Sequence, residues 1–410
     1  MDGKRVVITG IGAVCAVGND VPTVWDNLMA GRHGFARIET MDITDHKISI
    51  GGEVRNFEYP DKREAKRLDL FCQFGLVAAD EALTMSGIVA GDNVAPERVG
   101  VYLGSGIGGI RTLEKEMVNG RENGYRRVSA LLVPMIIINI LPGNVAIKYG
   151  FKGYSMGIVT ACTSGTNAVG EGWRAIKLGL ADVIVAGGGE SPFAPVCVAG
   201  FANMKAMSEG TDPDRASIPF DKERNGFVMG EGAGALVLEE YEHAKARGAN
   251  ILAEVVGYGA NTDAYHITQP SPSGEGAADS MRMALESAGI RPSDISYINA
   301  HGTSTPLNDL FETRAVKTVF GKAAYDIPMS STKSMTGHAL GAAGALEAVF
   351  LVKTLLENRV PPTAGYRVPD EELDLDYVTE GARDVDVKYA MSNSLGFGGH
   401  NGTIIFKKYE

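Results

Sequence analysis

Short runs rich in β-branched residues alternate with longer stretches of helical hydrophobic period along the whole chain. That alternation restricts it to layered α/β architectures. Strands are predicted at 5–9, 99–103, 154–161, 183–186, 235–239, 253–258, 297–300, 390–392 and 403–407. Helices are predicted over 21–30, 66–86, 163–180, 274–288, 311–320 and 340–357. Of the 410 residues 52 are Gly, clustered in turns, which suits many tight strand–helix junctions and close backbone approaches.

The pattern also repeats. Laying Cys162 on His338 places Gly165 on Gly341, Ala168 on Gly344 and Glu171 on Glu347. Each set opens a long helix after a β-branched or hydroxyl-rich turn. With the repeated strand–helix order, this predicts two similar halves, 1–249 and 250–410, joined through a polar segment at 239–250. Residues opening equivalent helices would then face each other across a pseudo-twofold axis.

Composition removes several function classes. Hydrophobic residues make up 44% and charged residues 22%, as in ordinary globular chains. A net charge of −11 argues against nonspecific nucleic-acid binding, which needs excess Lys and Arg. The four cysteines, Cys15, Cys72, Cys162 and Cys197, are far apart, so neither a disulfide framework nor a zinc site is expected. The start of the chain enters a strand without a signal-type apolar core, and no run reaches the roughly 18 apolar residues of a membrane span. A cytoplasmic protein without a membrane or nucleic-acid partner is expected.

Four motifs carry chemistry. The first is the turn Ile158-Val159-Thr160-Ala161-Cys162-Thr163-Ser164-Gly165, which puts Cys162 at a helix N-terminus. Unpaired amides and the helix dipole there favour a nucleophilic thiolate, although a lone Cys is more often a small buried hydrophobe. The second, Asn299-Ala300-His301-Gly302-Thr303-Ser304-Thr305, ends a strand on His301. The third, Lys333-Ser334-Met335-Thr336-Gly337-His338, feeds a helix. His33, His46, His243 and His266 lack such surroundings and read as ordinary hydrogen-bonding residues. The fourth, Leu395-Gly396-Phe397-Gly398-Gly399-His400, is a loop able to swing and to present backbone N–H groups as an oxyanion site or gate, or else a plain Gly-rich turn.

Together these motifs resemble the elongating β-ketoacyl-acyl-carrier-protein synthases of the thiolase-like fold, with synthase II of dissociated bacterial fatty-acid synthesis the nearest class. Pro219-Phe220-Asp221 and Gly230-Glu231-Gly232 add to the resemblance, which spans essentially the whole chain. It implies a five-layer α-β-α-β-α arrangement and a decarboxylative Claisen condensation of acyl and malonyl groups carried on acyl carrier protein. In that reading Cys162 takes the acyl chain as a thioester. The amides of Cys162 and Phe397 form an oxyanion hole, and His301 and His338 stabilise the malonyl-derived enolate. Lys333 and Glu347 support His338, with Asp309 and Glu312 behind them. Thr303 and Thr305 bind pantetheine. Ile107 and Phe201 line the acyl tunnel, and Ile136 enters it from a second subunit of a homodimer built on the strand at 154–161. The Cys-His-His set separates this class from initiating synthases, which use Cys, His and Asn, and from thiolases, which add a second Cys. Cys162 argues against a non-catalytic chain-length subunit. A ketosynthase of a polyketide or specialised-lipid pathway is the alternative.

No cofactor or catalytic metal is required on this reading, and a structural monovalent cation is expected near Asn299, Glu347 and Asn393. Acidic acyl carrier needs a local basic patch, for which Lys62, Arg63, Lys66 and Arg67 are candidates, extended by Arg126, Arg127 and Lys205. Gly104-Ser105-Gly106-Ile107-Gly108-Gly109 matches a dinucleotide loop by spacing, but the expected acidic ribose ligand is missing from a strand setting downstream. His400 and Leu395 stand where relatives carry Thr and Phe, and His400 is expected to cap its turn.

Overall fold

The computed structural model describes residues 3–410. Ten strands make the main sheet: β1 (Val6–Cys15), β2 (Val99–Gly104), β3 (Ser155–Ile158), β4 (Val183–Glu190), β5 (Gly232–Glu240), β6 (Ala253–Thr262), β7 (Tyr297–Asn299), β8 (Met329–Ser330), β9 (Tyr389–Gly396) and β10 (His400–Lys408). The longer helices are α1 (Val21–Met29), α2 (Leu70–Ser86), α3 (Ile110–Asn123), α4 (Ile140–Tyr149), α5 (Ser164–Lys177), α6 (Pro195–Asn203), α7 (Glu275–Ala288), α8 (Pro306–Phe320) and α9 (Ala343–Glu357).

Strand order is β1-β5-β4-β2-β3 in the first half and β6-β10-β9-β7-β8 in the second. Each strand of one half thus has its counterpart five places on. The pairing sense repeats as well: β2 is parallel to β3 and β4, just as β7 is parallel to β8 and β9. The halves meet where Val6–Ile8 of β1 pair antiparallel with residues 253–255 of β6. Helix α2 covers the outer face of β1, β5 and β4, and α4 that of β2 and β3. Helices α7 and α8 cover the far side of the second half. Helices α5 and α9 lie between, each touching strands of both halves. The result is the expected five-layer α-β-α-β-α stack.

The middle layer is narrow because glycines thin it. A Cβ on Gly165 would stand 2.6 Å from the Ala345 nitrogen, so α5 and α9 touch backbone to backbone. This contact turns the starts of the two helices toward each other and positions the site.

Local differences from the sequence expectation have physical causes. The helix predicted over 66–86 begins only at Leu70, because Asp69 accepts a bond from the Phe71 N–H and caps it. Asp69 also accepts from the Thr112 amide at 2.9 Å, which ties α3 to the same cap. The strand predicted over 154–161 stops at Ile158, and β9 runs on to Gly396, directly into the Gly-rich loop. Among the described residues no helix is long and apolar enough to cross a membrane.

Candidate active site

Three residues after β3 the chain makes a strained elbow. Ala161 has φ of 52°, a left-handed conformation rare for a side-chain-bearing residue. Hydroxyls hold it: Thr163 Oγ1 donates to the Thr160 carbonyl and Ser164 Oγ to the Ala161 carbonyl, both at 2.6 Å. Cys162 projects from this elbow into a cavity of about 310 Å³. The backbone amides of Cys162 and Phe397 lie beside its sulfur and pull the thiol down. Burial pushes the thiol up to about 12, with the Lys333 ammonium pulling the other way. Desolvation thus opposes the helix terminus and the Lys333 charge, which favour the thiolate.

His301 and His338 reach the same cavity from the second half. Their rings lie 5.2 Å apart and nearly perpendicular, at 88°. Burial, reinforced by the charge of Lys333, holds both well below the ordinary imidazole range. Both rings are thus neutral, each with one N–H to donate. In both, Nδ1 is buried without a partner, which leaves Nε2 toward the cavity. Backbone bonds place the rings. Glu312 accepts from the amides of His301 and Gly302, both at 2.8 Å, and the His338 amide donates to the Val228 carbonyl. Phe227 packs edge-on against His338 at 5.4 Å.

Lys333 and Glu347 form a buried ion pair that makes no hydrogen bond to either imidazole. Lys333 acts on the rings through its field alone. Burial raises the Glu347 carboxyl and Lys333 lowers it. Glu312 stands behind His301 and feels the charges of both Lys333 and Asp309. Asp309 accepts from the Phe220 amide at 2.9 Å and from Asn308 at 3.1 Å.

Thr303 and Thr305 line the cavity, their hydroxyls 2.9 Å apart. Phe201 lies there too, 5.6 Å from Phe227 and 6.1 Å from Phe397. Ile107 does not reach it. Ile107 and Ile136 line another groove of about 480 Å³, where the Gly109 amide donates to the Ile136 carbonyl. The Gly104–Gly109 loop cannot cradle a phosphate, since the amides of Gly106 and Ile107 already donate to the Glu190 carboxylate.

Phe397, Gly398 and Gly399 form the turn of the β9–β10 hairpin, with φ of 85° and 74° at the two glycines. A segment that sequence patterning missed straps this turn. The Gly398 amide donates to the Ile267 carbonyl at 2.7 Å, and the Asp263 amide to the Gly399 carbonyl at 2.8 Å. The His400 ring packs against Gly398, where a Cβ would stand 3.0 Å from it. Phe227 lies in the signature segment that begins at Pro219, but the sequence assigned it no role.

Asn299 Oδ1, Ser392 Oγ and Glu347 Oε2 are buried without partners. Asn299 and Ser392 are register partners on β7 and β9. The side-chain oxygen of Asn393, by contrast, already accepts from Thr403. Among the described residues no cluster of three His, Cys, Asp or Glu could hold a metal. Lys62, Arg63, Lys66, Arg67, Arg126, Arg127 and Lys205 are exposed and make no ion pair among the described residues. Lys205 stands on the rim of the thiol cavity.

Comparison with known proteins agrees with this geometry. The family model described as beta-ketoacyl synthase, N-terminal domain, matches residues 3–244, and the C-terminal domain model of the same family matches 252–367. The chain is 49% identical over 410 residues to the 3-oxoacyl-[acyl-carrier-protein] synthase 2 of Staphylococcus aureus (strain N315), covering 99% of both chains. It is 47% identical over 414 residues to the protein of that name from Synechocystis sp. (strain ATCC 27184 / PCC 6803 / Kazusa), covering 100% of this chain and 99% of the other. The solved beta-ketoacyl synthase from Burkholderia phymatum STM815 superposes with a TM-score of 0.92 at 34% identity, over 99% of this chain and 100% of that one. A type II PKS ketosynthase, solved in complex with its acyl-carrier protein, does so with a TM-score of 0.92 at 34% identity over 100% of both chains. The chain belongs to the β-ketoacyl synthase family.

Proposed function

We propose that the protein is a 3-oxoacyl-[acyl-carrier-protein] synthase that joins an acyl group to a malonyl-derived unit in fatty-acid elongation. The observation that carries this reading is one cavity in which a thiol, with the amides of its own residue and of Phe397 beside it, meets two perpendicular imidazoles held neutral by burial.

In the first step Cys162 sulfur attacks the acyl thioester, and the carrier thiol departs with the proton. The amides of Cys162 and Phe397 hold the oxyanion of the tetrahedral intermediate. Malonyl carrier then enters. Its carboxylate leaves as carbon dioxide, and the bonding electrons become an enolate on the thioester oxygen. The N–H groups of His301 and His338 stabilise that charge, which only neutral imidazoles on Nε2-protonated tautomers can do by donation without a full countercharge. The enolate carbon attacks the Cys162 thioester. Collapse releases Cys162 and the 3-oxoacyl carrier.

Thr303 and Thr305 suit the pantetheine amides, since each hydroxyl can donate or accept. Acyl carrier protein docks on the unpaired cations at Lys62, Arg63, Lys66 and Arg67, with Arg126, Arg127 and Lys205 extending the surface. The family neighbour solved with its acyl-carrier protein supports such a partner. A homodimer is supported by β3, an edge strand flanked by Tyr154 and Val159, which are 70% and 53% exposed. The partnerless oxygens of Asn299, Ser392 and Glu347 fit a monovalent cation, which would neutralise them. The repeated strand order supports division into halves at 1–249 and 250–410, and the cytoplasm is the proposed compartment. The fatty-acid reading is favoured over a polyketide one by the higher identity of its relatives, 47–49% against 34%. The test is purified protein with acyl and malonyl carriers, products read by mass. A 3-oxoacyl carrier two carbons longer supports the reading, and hydrolysis or no product refutes it.

A further inference from the structure

Glu190 is the last residue of β4 and has no solvent exposure. Its carboxylate accepts four hydrogen bonds. Ser105 Oγ donates at 2.8 Å, the Gly106 amide at 2.6 Å, the Ile107 amide at 3.2 Å and the Gly341 amide at 2.9 Å. The first three donors belong to the loop after β2, whose Gly106 lies against the Ala161 carbonyl of the nucleophile elbow. The fourth belongs to the turn three residues past His338. Both chain segments are reduced to glycine where they meet the carboxylate: a Cβ would stand 2.9 Å from Oε2 at Gly106 and 2.7 Å from it at Gly341.

Four donors converging on two oxygens select the ionised carboxylate, because a protonated one would turn its O–H against an N–H. A buried charge satisfied by groups from two chain segments resists any change in their spacing. We propose that Glu190 is a positioning residue for the condensation, pinning the loop beside Cys162 to the turn that follows His338 and so setting the separation of thiol and imidazole. The proposal rests on the reading that Cys162 and His338 act in one reaction. Burial raises the Glu190 carboxyl while its four donors pull it back down; its charge raises the thiol, against Lys333. Cys197 on α6 is a further titratable group that feels the charge of Glu190, and Glu114 on α3 acts on the same thiol. One of the amides it holds is that of Ile107, so Glu190 fixes the wall of the apolar groove as well.

The test compares wild type with Glu190→Gln, Glu190→Asp and Ser105→Ala. Three quantities are measured: alkylation of Cys162 by iodoacetamide against pH, single-turnover acylation, and steady-state condensation. In Glu190→Gln an amide NH₂ faces backbone donors, so kcat for condensation falls about 10- to 100-fold while KM for malonyl carrier changes by less than about threefold. Its alkylation profile moves to lower pH by about one unit, since a negative charge has gone. Glu190→Asp keeps the charge and the wild-type alkylation profile, but is too short to hold all four donors and still loses condensation. Ser105→Ala gives a loss of about 3- to 10-fold. Wild-type condensation in Glu190→Gln, or an unmoved alkylation profile in it, overturns the proposal. If that variant does not fold, unimpaired condensation in both Glu190→Asp and Ser105→Ala overturns it. Failure of the functional reading is separate, because wild type itself would then form no condensation product.

Discussion

Gly344 lies so close to Thr166 that a Cβ on it would stand 2.0 Å from Oγ1 and 2.8 Å from the Thr166 nitrogen. That hydroxyl is already 2.7 Å from Ser394 Oγ on β9. The two central helices therefore cross at a point with no room for a methyl group, one residue after the glycine that flanks the nucleophile turn.

Gly344→Ala should force α5 and α9 apart. Overpacking of this kind costs about 1–3 kcal/mol. Urea unfolding should show that loss, and Thr166→Ala in the same chain should recover part of it by removing the nearest atom. Equal stability of Gly344→Ala and wild type would mean the helices can separate freely.

Cys162→Ala should abolish condensation yet leave decarboxylation of malonyl carrier detectable by release of labelled carbon dioxide. The thiol and the imidazoles come from different halves, and in the proposed mechanism only the imidazoles meet the malonyl-derived charge. His301→Ala and His338→Ala should each lower condensation about 100- to 1,000-fold while acyl transfer to Cys162 persists. Loss of both activities in folded Cys162→Ala would remove decarboxylation from the histidine pair.

How much of this was legible in the sequence depends on the reach of each interaction. Cys162, His301 and His338 stand at strand–turn–helix junctions, where composition and hydrophobic period are local signals. Glu190 carries no such signal, because its partners lie 84 and 151 residues away. Helix α3 went unpredicted because only Gly120 along it is buried, so it has no apolar stripe to read. The break before Leu70 was hidden for a similar reason: Asp69 caps α2 locally but is held by Thr112, 43 residues on. The separation of Ile107 from the thiol cavity is likewise a matter of how a loop is bolted down, which spacing does not encode.

Glu231 should make stability fall with rising pH. Burial pushes its carboxyl up to about 7, against partial relief from Arg111, Ser191 and the Val54 amide. The folded state then holds a proton that the unfolded chain has lost at the same pH. Between the ordinary glutamate range and pH 7, each rise in pH favours unfolding. Relative to Glu231→Gln, wild type should be more stable at pH 5.5 than at pH 7 by about 2 kcal/mol, measured by urea unfolding at both. A difference of the opposite sign would show that Arg111 dominates the carboxyl.

Reversing Lys66 and Arg67 to Glu should raise KM for carrier-borne substrates about tenfold at low salt, and the effect should shrink as ionic strength rises. A small thioester that needs no protein docking should react at the wild-type rate. Equal loss on both substrates would mean that the variant is misfolded.

Because β1 and β6 join the halves through three residue pairs, while the middle helices each touch strands of both halves, the molecule resembles a clasp with a thin join and a broad bite. Cys162 stands on one jaw and both imidazoles on the other. On the proposed mechanism, turnover requires both jaws to be assembled. Two fragments cut in the polar stretch between β5 and β6 would each be inert alone, and recovery of activity on mixing would time the meeting of the jaws.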